Sequence, residues 1–366
     1  MSFITGLTRM WLTRTAKPFT FKMDIDQILP YAECENLGLY VHIPFCKSIC
    51  NFCPYCKVRY SAELCDRYID SLIQEIHIVG SQHAEHRKAT SLYFGGGTPA
   101  LAANRIKEIV NALSEHFIIT EGIGLELHPD NVNVETLQML KDAGVTKTSI
   151  GIQSFCDKYQ KILGRKKIDT AEMMSALSAV SFETVSMDFI FALPGQTYDD
   201  LKSDIDTAFL LGANHVAIYP FIDFTFTESP VTAMPKKDKR ELLDAITQYC
   251  LGKGYSRNSI WTFSSGTDAN YSSMTRDNFL GFGCSATSLF KEQFKINTFD
   301  VDSYCERIRS GNLATSLTIR FTKRQRMVYW LFWTAYSTRV TAEDFEKFFG
   351  VSLKKCMDSS FGLPNN

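Results

Sequence analysis

At 366 residues, the chain is long enough for one large domain, or a large domain with a small one. A composition 45% hydrophobic and 22% charged describes a globular protein with ample core, and a net charge of −1 gives no reason to expect nucleic acid as a partner. No apolar run reaches membrane-spanning length, and 11 cysteines without a secretory signal point to a reducing, cytoplasmic setting in which thiols serve metal chemistry.

The first 22 residues carry Arg9, Arg14, Lys17 and Lys22 with no acid before Asp24, and Phe3, Trp11, Phe19 and Phe21 among them. Such a segment suits an interfacial or targeting role, or a basic arm packed on the body of the protein. Residues 1–36 are read as this arm. From 37 to 230, short apolar runs alternate with helical stretches. The expected strands are Leu39–Ile43, Ser91–Phe94, Gly124–Leu127, Lys147–Ile152, Thr184–Ile190 and His215–Tyr219. The expected helices are Ala62–Ile78, Ala103–His116, Val134–Asp142, Asp157–Leu163, Ala171–Val180 and Tyr198–Leu211. Six βα units in series fit an incomplete (β/α) barrel, since a full one needs eight. An open doubly wound sheet has the same alternation. Beyond 230 the rhythm changes. Glu241–Gly252 reads as helix, Ser256–Arg276 as loop, Phe279-Leu-Gly-Phe-Gly-Cys284 as a turn or strand, and Thr322–Tyr336 as a buried helix. Thr341 and Asp344 offer a capping box for a last helix through Phe349. Residues 231–366 are read as a smaller, mainly helical C-terminal substrate or cap region.

Cys46, Cys50 and Cys53 follow the first strand on one loop, in Tyr40-Val-His-Ile-Pro-Phe-Cys-Lys-Ser-Ile-Cys-Asn-Phe-Cys53. Thiolates this close can hold an iron–sulfur cluster, which usually takes four cysteines. Three on a cubane leave one iron open to a substrate or cofactor. Structural zinc is the competing occupant, with Cys56 as a fourth thiol, but zinc sites usually arrive as two pairs separated by a longer loop. The position of this loop favours the barrel, where function gathers at the C-terminal ends of the strands. There the second strand brings Gly95, Gly96, Gly97 and Thr98, whose backbone can approach a ligand closely. Glu126 ends the third strand, Gln153 and Ser154 follow the fourth, Arg165 comes after the next helix, and Asp188 lies in the fifth. Acids within apolar strands are costly unless paired or ligand-bound, so Glu126 and Asp188 read as functional.

These pieces, with Leu-Gly-Arg165, Leu193-Pro-Gly-Gln-Thr197 and the Gly-Phe-Gly-Cys284 turn, resemble the radical S-adenosylmethionine (SAM) superfamily over roughly residues 37–290. The similar branch includes oxygen-independent coproporphyrinogen III oxidase, its haem-chaperone relatives and the class C methylases. The resemblance implies a partial (β/α)6 barrel of the radical SAM type over 37–230. It implies a [4Fe–4S] cluster on Cys46, Cys50 and Cys53, whose open iron chelates the amino and carboxylate groups of SAM. Cys56 is then a spare or supporting thiol, because a fourth ligand would close that iron. By the same resemblance Gly95, Gly96, Gly97 and Thr98 grip the SAM amino group, and Arg165 pairs with its carboxylate. Gln153, Glu126 and Asp188 hold the ribose, Phe52 lies against the adenine, and Tyr40 positions a second SAM or the substrate as the expected catalytic residue. The implied reaction is reductive cleavage of SAM to a 5′-deoxyadenosyl radical that abstracts hydrogen from a small molecule, by kinship a tetrapyrrole. Flavodoxin or ferredoxin would supply the electron. Decarboxylation of coproporphyrinogen III is the leading expectation, with Arg257, Arg276 and Lys295 as candidate partners for propionates. Methylation with two SAM molecules, haem modification, and haem binding without turnover are the alternatives. The last lacks its usual axial ligand, since no histidine follows His215.

Overall fold

The six apolar runs become six parallel strands that pair in the order of the sequence: β1 (Leu37–Ile43), β2 (Ser91–Gly96), β3 (Ile123–Leu127), β4 (Lys147–Gln153), β5 (Thr184–Phe191) and β6 (His215–Pro220). The structure is a computed structural model and describes residues 19–23, 27–224, 231–266 and 277–356. Between the strands run α1 (Ala62–Gly80), α2 (Ala103–Ser114), α3 (Val134–Asp142), α4 (Asp157–Ile162), α5 (Thr170–Ala179) and α6 (Tyr198–Leu210). Local chemistry starts these helices. Ser61 caps α1, Asn133 caps α3, Asp169 caps α5, and Thr197 forms a reciprocal capping box with Asp200 on α6. On α1 the fully buried Tyr68, Leu72 and Ile76 recur every fourth residue, with Ile69 beside them, and this stripe faces the sheet.

The sheet crosses residue 230 without interruption. Two short strands, β7 (Ser256–Arg257) and β8 (Thr262–Ser264), extend it beyond β6, inside a stretch expected to be loop. β9 (Asn278–Phe282) returns to the far side of β1 and pairs with it in parallel, Leu39 opposite Leu280. β10 (Thr287–Leu289), β11 (Gln293–Asn297) and β12 (Thr315–Arg320) then continue as an antiparallel meander. The result is a 12-stranded sheet in the order β7-β8-β6-β5-β4-β3-β2-β1-β9-β10-β11-β12. The C-terminal portion also holds α7 (Lys236–Gly252), α8 (Val301–Arg309), α9 (Lys323–Thr334) and α10 (Ala342–Phe349). Thr341 caps α10 through the Asp344 amide.

A buried carboxyl ties the two portions together. Glu75 of α1 accepts hydrogen bonds from the Gly283 amide (2.7 Å), Asn297 Nδ2 (3.0 Å) and the Tyr304 hydroxyl (2.7 Å). Burial pushes its pKa up to about 7.

The helix expected to be buried at Thr322–Tyr336 is instead half exposed. Only Arg326 and Trp330 of α9 are buried, and Phe332 is turned outward. Its aromatic side lines a cavity. Residues 19–23 lie along β12, where Lys22 and Thr318 exchange backbone hydrogen bonds at 2.8 Å and Phe19 meets Phe321 edge-on. Arg9, Arg14, Lys17 and Trp11 fall outside the described residues, as do Tyr271, Met274 and Arg276 of the polar stretch. No helix among the described residues is long and apolar enough to cross a membrane.

Candidate active site

Each barrel strand has one mainly apolar face and one face carrying glycine, hydroxyl, aromatic or acidic residues. On β1, Gly38, Tyr40 and His42 alternate with the buried Leu37, Leu39, Val41 and Ile43. The parallel register sets Tyr40 beside Tyr93, while Glu126 neighbours Ser149 and Ser149 neighbours Ser186. The polar column therefore lines the inside of the barrel.

Above β1 the chain forms the cysteine loop. Phe45–Cys46 pairs in parallel with Val58–Arg59, so the segment between them closes into a lobe. The Val58 amide donates to Pro44 O (2.8 Å) and the Tyr60 amide to Cys46 O (2.9 Å). Cys46, Cys50 and Cys53 are all free thiols, half buried on this lobe. Burial holds Cys46 up at about 11 and raises Cys53 as well, and repulsion from the neighbouring cysteines adds to both. The end of β2 locks on from below. Gly97 N donates to Ile43 O and Thr98 N to Phe45 O, both at 2.8 Å, and Thr98 Oγ1 points at Cys46 Sγ (3.9 Å). At Gly97 a β-carbon would sit 2.6 Å from Phe45 O and 2.7 Å from Pro44 C, so this approach requires glycine. Gly96 has φ +119°, and its amide donates to Glu126 Oε2 (3.1 Å).

Cys56 is turned away from the triad. Its thiol donates to Phe299 O (3.2 Å), and hydrogen bonding with the buried Cys284 pulls it down to about 7. The donor set is thus three thiols without a fourth protein ligand from this loop, which fits a cubane with one open iron and does not fit a closed four-cysteine zinc site.

Arg165 arrives beside the lobe after α4. Its guanidinium lies over the Phe52 ring (5.7 Å) and donates from Nη1 to Gly151 O. Its buried Nε has no hydrogen-bond partner. A buried guanidinium edge without an acceptor is costly to leave unmet, and a ligand carboxylate would satisfy it. Gln153, at a β-bulge with φ +70°, brings its side chain alongside Gly151 and so close to Arg165. Phe52 also packs against the apolar cluster of Tyr159, Leu163, Ile190, Leu193 and Phe221.

Below this lies a cavity of about 460 Å³, lined by Tyr40, Tyr55, Tyr93, Gly96 and Glu126 on the barrel side and by Tyr329, Trp330 and Trp333 of α9 opposite. Glu126 accepts from the Tyr93 hydroxyl (3.2 Å), and burial together with the charge of Asp188 pushes it up to about 7. Asp188 accepts from Ser149 Oγ (2.7 Å) and Ser186 Oγ (3.2 Å); burial raises it to about 6. Tyr40 hydrogen-bonds His42 Nδ1 (2.9 Å), whose Nε2 faces Cys56 O (3.4 Å) and Ser285 Oγ (3.1 Å). The Cys56 carbonyl can only accept, so His42 carries its proton on Nε2 and Nδ1 accepts from Tyr40. Burial holds His42 neutral, with its pKa down at about 4.

The expected residues therefore fall into two adjoining groups. Cys46, Cys50, Cys53, Gly97, Thr98, Phe52, Gln153 and Arg165 belong to the lobe and its surroundings, and Tyr40, Gly96 and Glu126 line the cavity, with Gly95 and Asp188 close to Glu126. Sequence reasoning missed Tyr55, Tyr93 and the aromatic wall of α9. The period-two alternation on β2 was the signal for Tyr93. Arg257 and Lys295 do not line the cavity; its only cation among the described residues is Arg326, already donating to Phe290 O and Asp277 O.

Residues 40–208 match the Radical SAM superfamily. The haem chaperone HemW of Lactococcus lactis is 31% identical over 236 residues, an alignment covering 61% of this chain and 61% of that protein. The oxygen-independent coproporphyrinogen III oxidase of Pseudomonas aeruginosa is 26% identical over 316 residues, 76% of this chain and 67% of the relative. Among solved structures, coproporphyrinogen III oxidase from Escherichia coli, described as a radical SAM enzyme, superposes with a TM-score of 0.74 at 22% identity, over 86% of this chain and 79% of that one. Residues 40–208 form a radical SAM domain, a family that uses a [4Fe–4S] cluster and SAM, and the chain shares the α/β fold of the solved oxidase.

Proposed function

We propose that this chain is a radical SAM enzyme acting on a tetrapyrrole. When bound, the cluster and SAM supply an electron and a 5′-deoxyadenosyl radical able to take a hydrogen atom from the substrate. The observation that carries the reading is the unpartnered Nε of Arg165, whose positive charge reaches Cys53 of the lobe. In this reading Arg165 takes the SAM carboxylate, and the Gly95–Thr98 run takes its amino group. Gln153, Glu126 and Asp188 hold the ribose. Glu126 and Asp188, both raised toward neutrality, can each accept or donate a hydrogen bond near pH 7. The Tyr40–His42 pair keeps a hydroxyl proton at the cavity floor, and the α9 aromatics exclude water from a flat substrate. A low-potential donor such as flavodoxin or ferredoxin would deliver the electron.

A cavity walled by tyrosine and tryptophan, with its one described cation already engaged, suits a macrocycle held mainly by its faces. It offers less to the propionates of coproporphyrinogen III, so modification of a tetrapyrrole with fewer carboxylates, such as haem, competes with decarboxylation. The same aromatic wall favours a second reading, a haem-holding protein without turnover, and the Lactococcus relative carries the name haem chaperone.

Anaerobic reconstitution with iron and sulfide, then dithionite and SAM with coproporphyrinogen III or haem, separates these readings. Mass spectrometry should show 5′-deoxyadenosine, with a macrocycle changed in mass. Deoxyadenosine without macrocycle change discards the tetrapyrrole. An intact reduced cluster that holds haem and makes no deoxyadenosine replaces the enzyme with the holding protein.

A further inference from the structure

At the end of the barrel opposite the cysteine lobe, two helices finish side by side. α1 presents His77 in its last turn, and α2 is followed by Glu115 and His116. His77 Nδ1 lies 3.1 Å from His116 Nε2 and 3.8 Å from Glu115 Oε2, and the three donor atoms all fall within 4.8 Å of one another. Two imidazole nitrogens bound to one tetrahedral ion at ~2.0–2.1 Å would stand roughly 3.3 Å apart, so the observed spacing needs almost no adjustment. Without an ion, one imidazole donates to the other.

The surroundings favour a cation. The C-terminal ends of α1 and α2 both carry the negative end of a helix dipole. His77 and Glu115 are 41% and 66% exposed, so an ion could enter and keep water in its remaining positions. His116 is seated by Gly80, three residues after His77, where a β-carbon would come within 2.2 Å of the His116 ring. Its backbone is fixed by the Arg87 amide, which donates to His116 O (3.0 Å).

We propose that His77, Glu115 and His116 form a site for a divalent transition-metal ion of the zinc class, which fastens the C-terminal ends of α1 and α2 together. Imidazole and carboxylate together suit such an ion. On the face of the barrel away from the chemistry, its role is to stabilise the fold. The site is independent of the cysteine lobe.

The test is calorimetric titration of zinc into the full chain after anaerobic cluster reconstitution, so that the lobe thiols are already engaged. Wild type should bind one equivalent that H77A and H116A lose by at least the ~10–100-fold that supporting groups alone are worth at metal sites. G80A, which keeps all three ligands but displaces the His116 ring, should weaken binding as well. Zinc should raise the Tm of wild type and leave that of H77A unchanged. If H77A, an exposed position whose loss the fold can bear, binds zinc as wild type does, the site is wrong. Absence of a zinc equivalent in wild type overturns it equally.

Discussion

Glu126→Gln tests the electrostatic account of the cavity. The Glu126 carboxyl titrates at about 7 in the folded chain against an ordinary value of 4.5, because burial and Asp188 both oppose its charge. Between these two values the folded state binds more protons than the unfolded state, so wild-type stability is favoured at low pH and falls as pH rises. Once ionisation is complete, the cost reaches roughly 3 kcal/mol, at 1.36 kcal/mol per pKa unit. Glutamine keeps the acceptor for the Gly96 amide and removes the charge. Its stability relative to wild type should therefore rise by about 2 kcal/mol between pH 5.5 and pH 8.5. Any fixed cost of the substitution cancels in that difference, as does the shared contribution of Glu75. Urea denaturation of both proteins at the two pH values reads it directly. A stability difference that stays flat with pH, or grows in the opposite sense, would refute the placement of an uncompensated acid at this position.

Arg165→Lys keeps the charge but cannot reproduce the free Nε edge; SAM affinity should fall roughly 10–100-fold, the worth of a charge-assisted hydrogen bond, with iron content unchanged. Unchanged affinity in equilibrium dialysis would remove Arg165 from the SAM site. Gly97→Ala places a methyl against the backbone of Pro44 and Phe45, neither of which can swing aside. It should cost about 1–3 kcal/mol or more, and lower iron loading as Thr98 moves from Cys46. Full iron content at an unshifted Tm would show that the lobe does not depend on this contact.

The barrel was legible because each of its strands is short, apolar and bounded by helix caps or glycine turns. Val134–Asp142 is a helix with the bounds expected, and the six strands start or stop within two residues of expectation. β9 was visible as an apolar, glycine-punctuated segment, but nothing in its composition could tell that it returns to pair with β1. Strand partnership across some 240 residues is a tertiary fact. β11 and β12 escaped notice for a different reason. Lys295, Thr315 and Thr318 are buried polar residues within them, which masks their hydrophobic pattern. At the site, the cysteine triad and the Gly95–Thr98 run announced themselves by spacing. The Ser149–Asp188 bond depends on strand register, which no linear motif records, and the Tyr40–His42 bond is a contact between alternate residues of one strand. The Trp330–Trp333 stretch was read as core because aromatic density at helical spacing looks the same whether it faces a core or a cavity.

The position of β1 between β2 and β9 also bears on how the protein is made. The strand that leads into the cysteine lobe remains an edge until residues 278–282 exist. At a synthesis rate of ~5–20 residues per second, that leaves its hydrogen-bonding groups unpaired for roughly 10–50 seconds on the ribosome. An open, apolar edge invites pairing with other chains. The lobe meanwhile lacks Cys284, Ser285 and Phe299, the partners that hold Cys56 and His42. Secure capture of iron and sulfide by the three thiols therefore belongs after chain completion, and a nascent chain stalled before β9 would carry its cysteines on an unsupported loop.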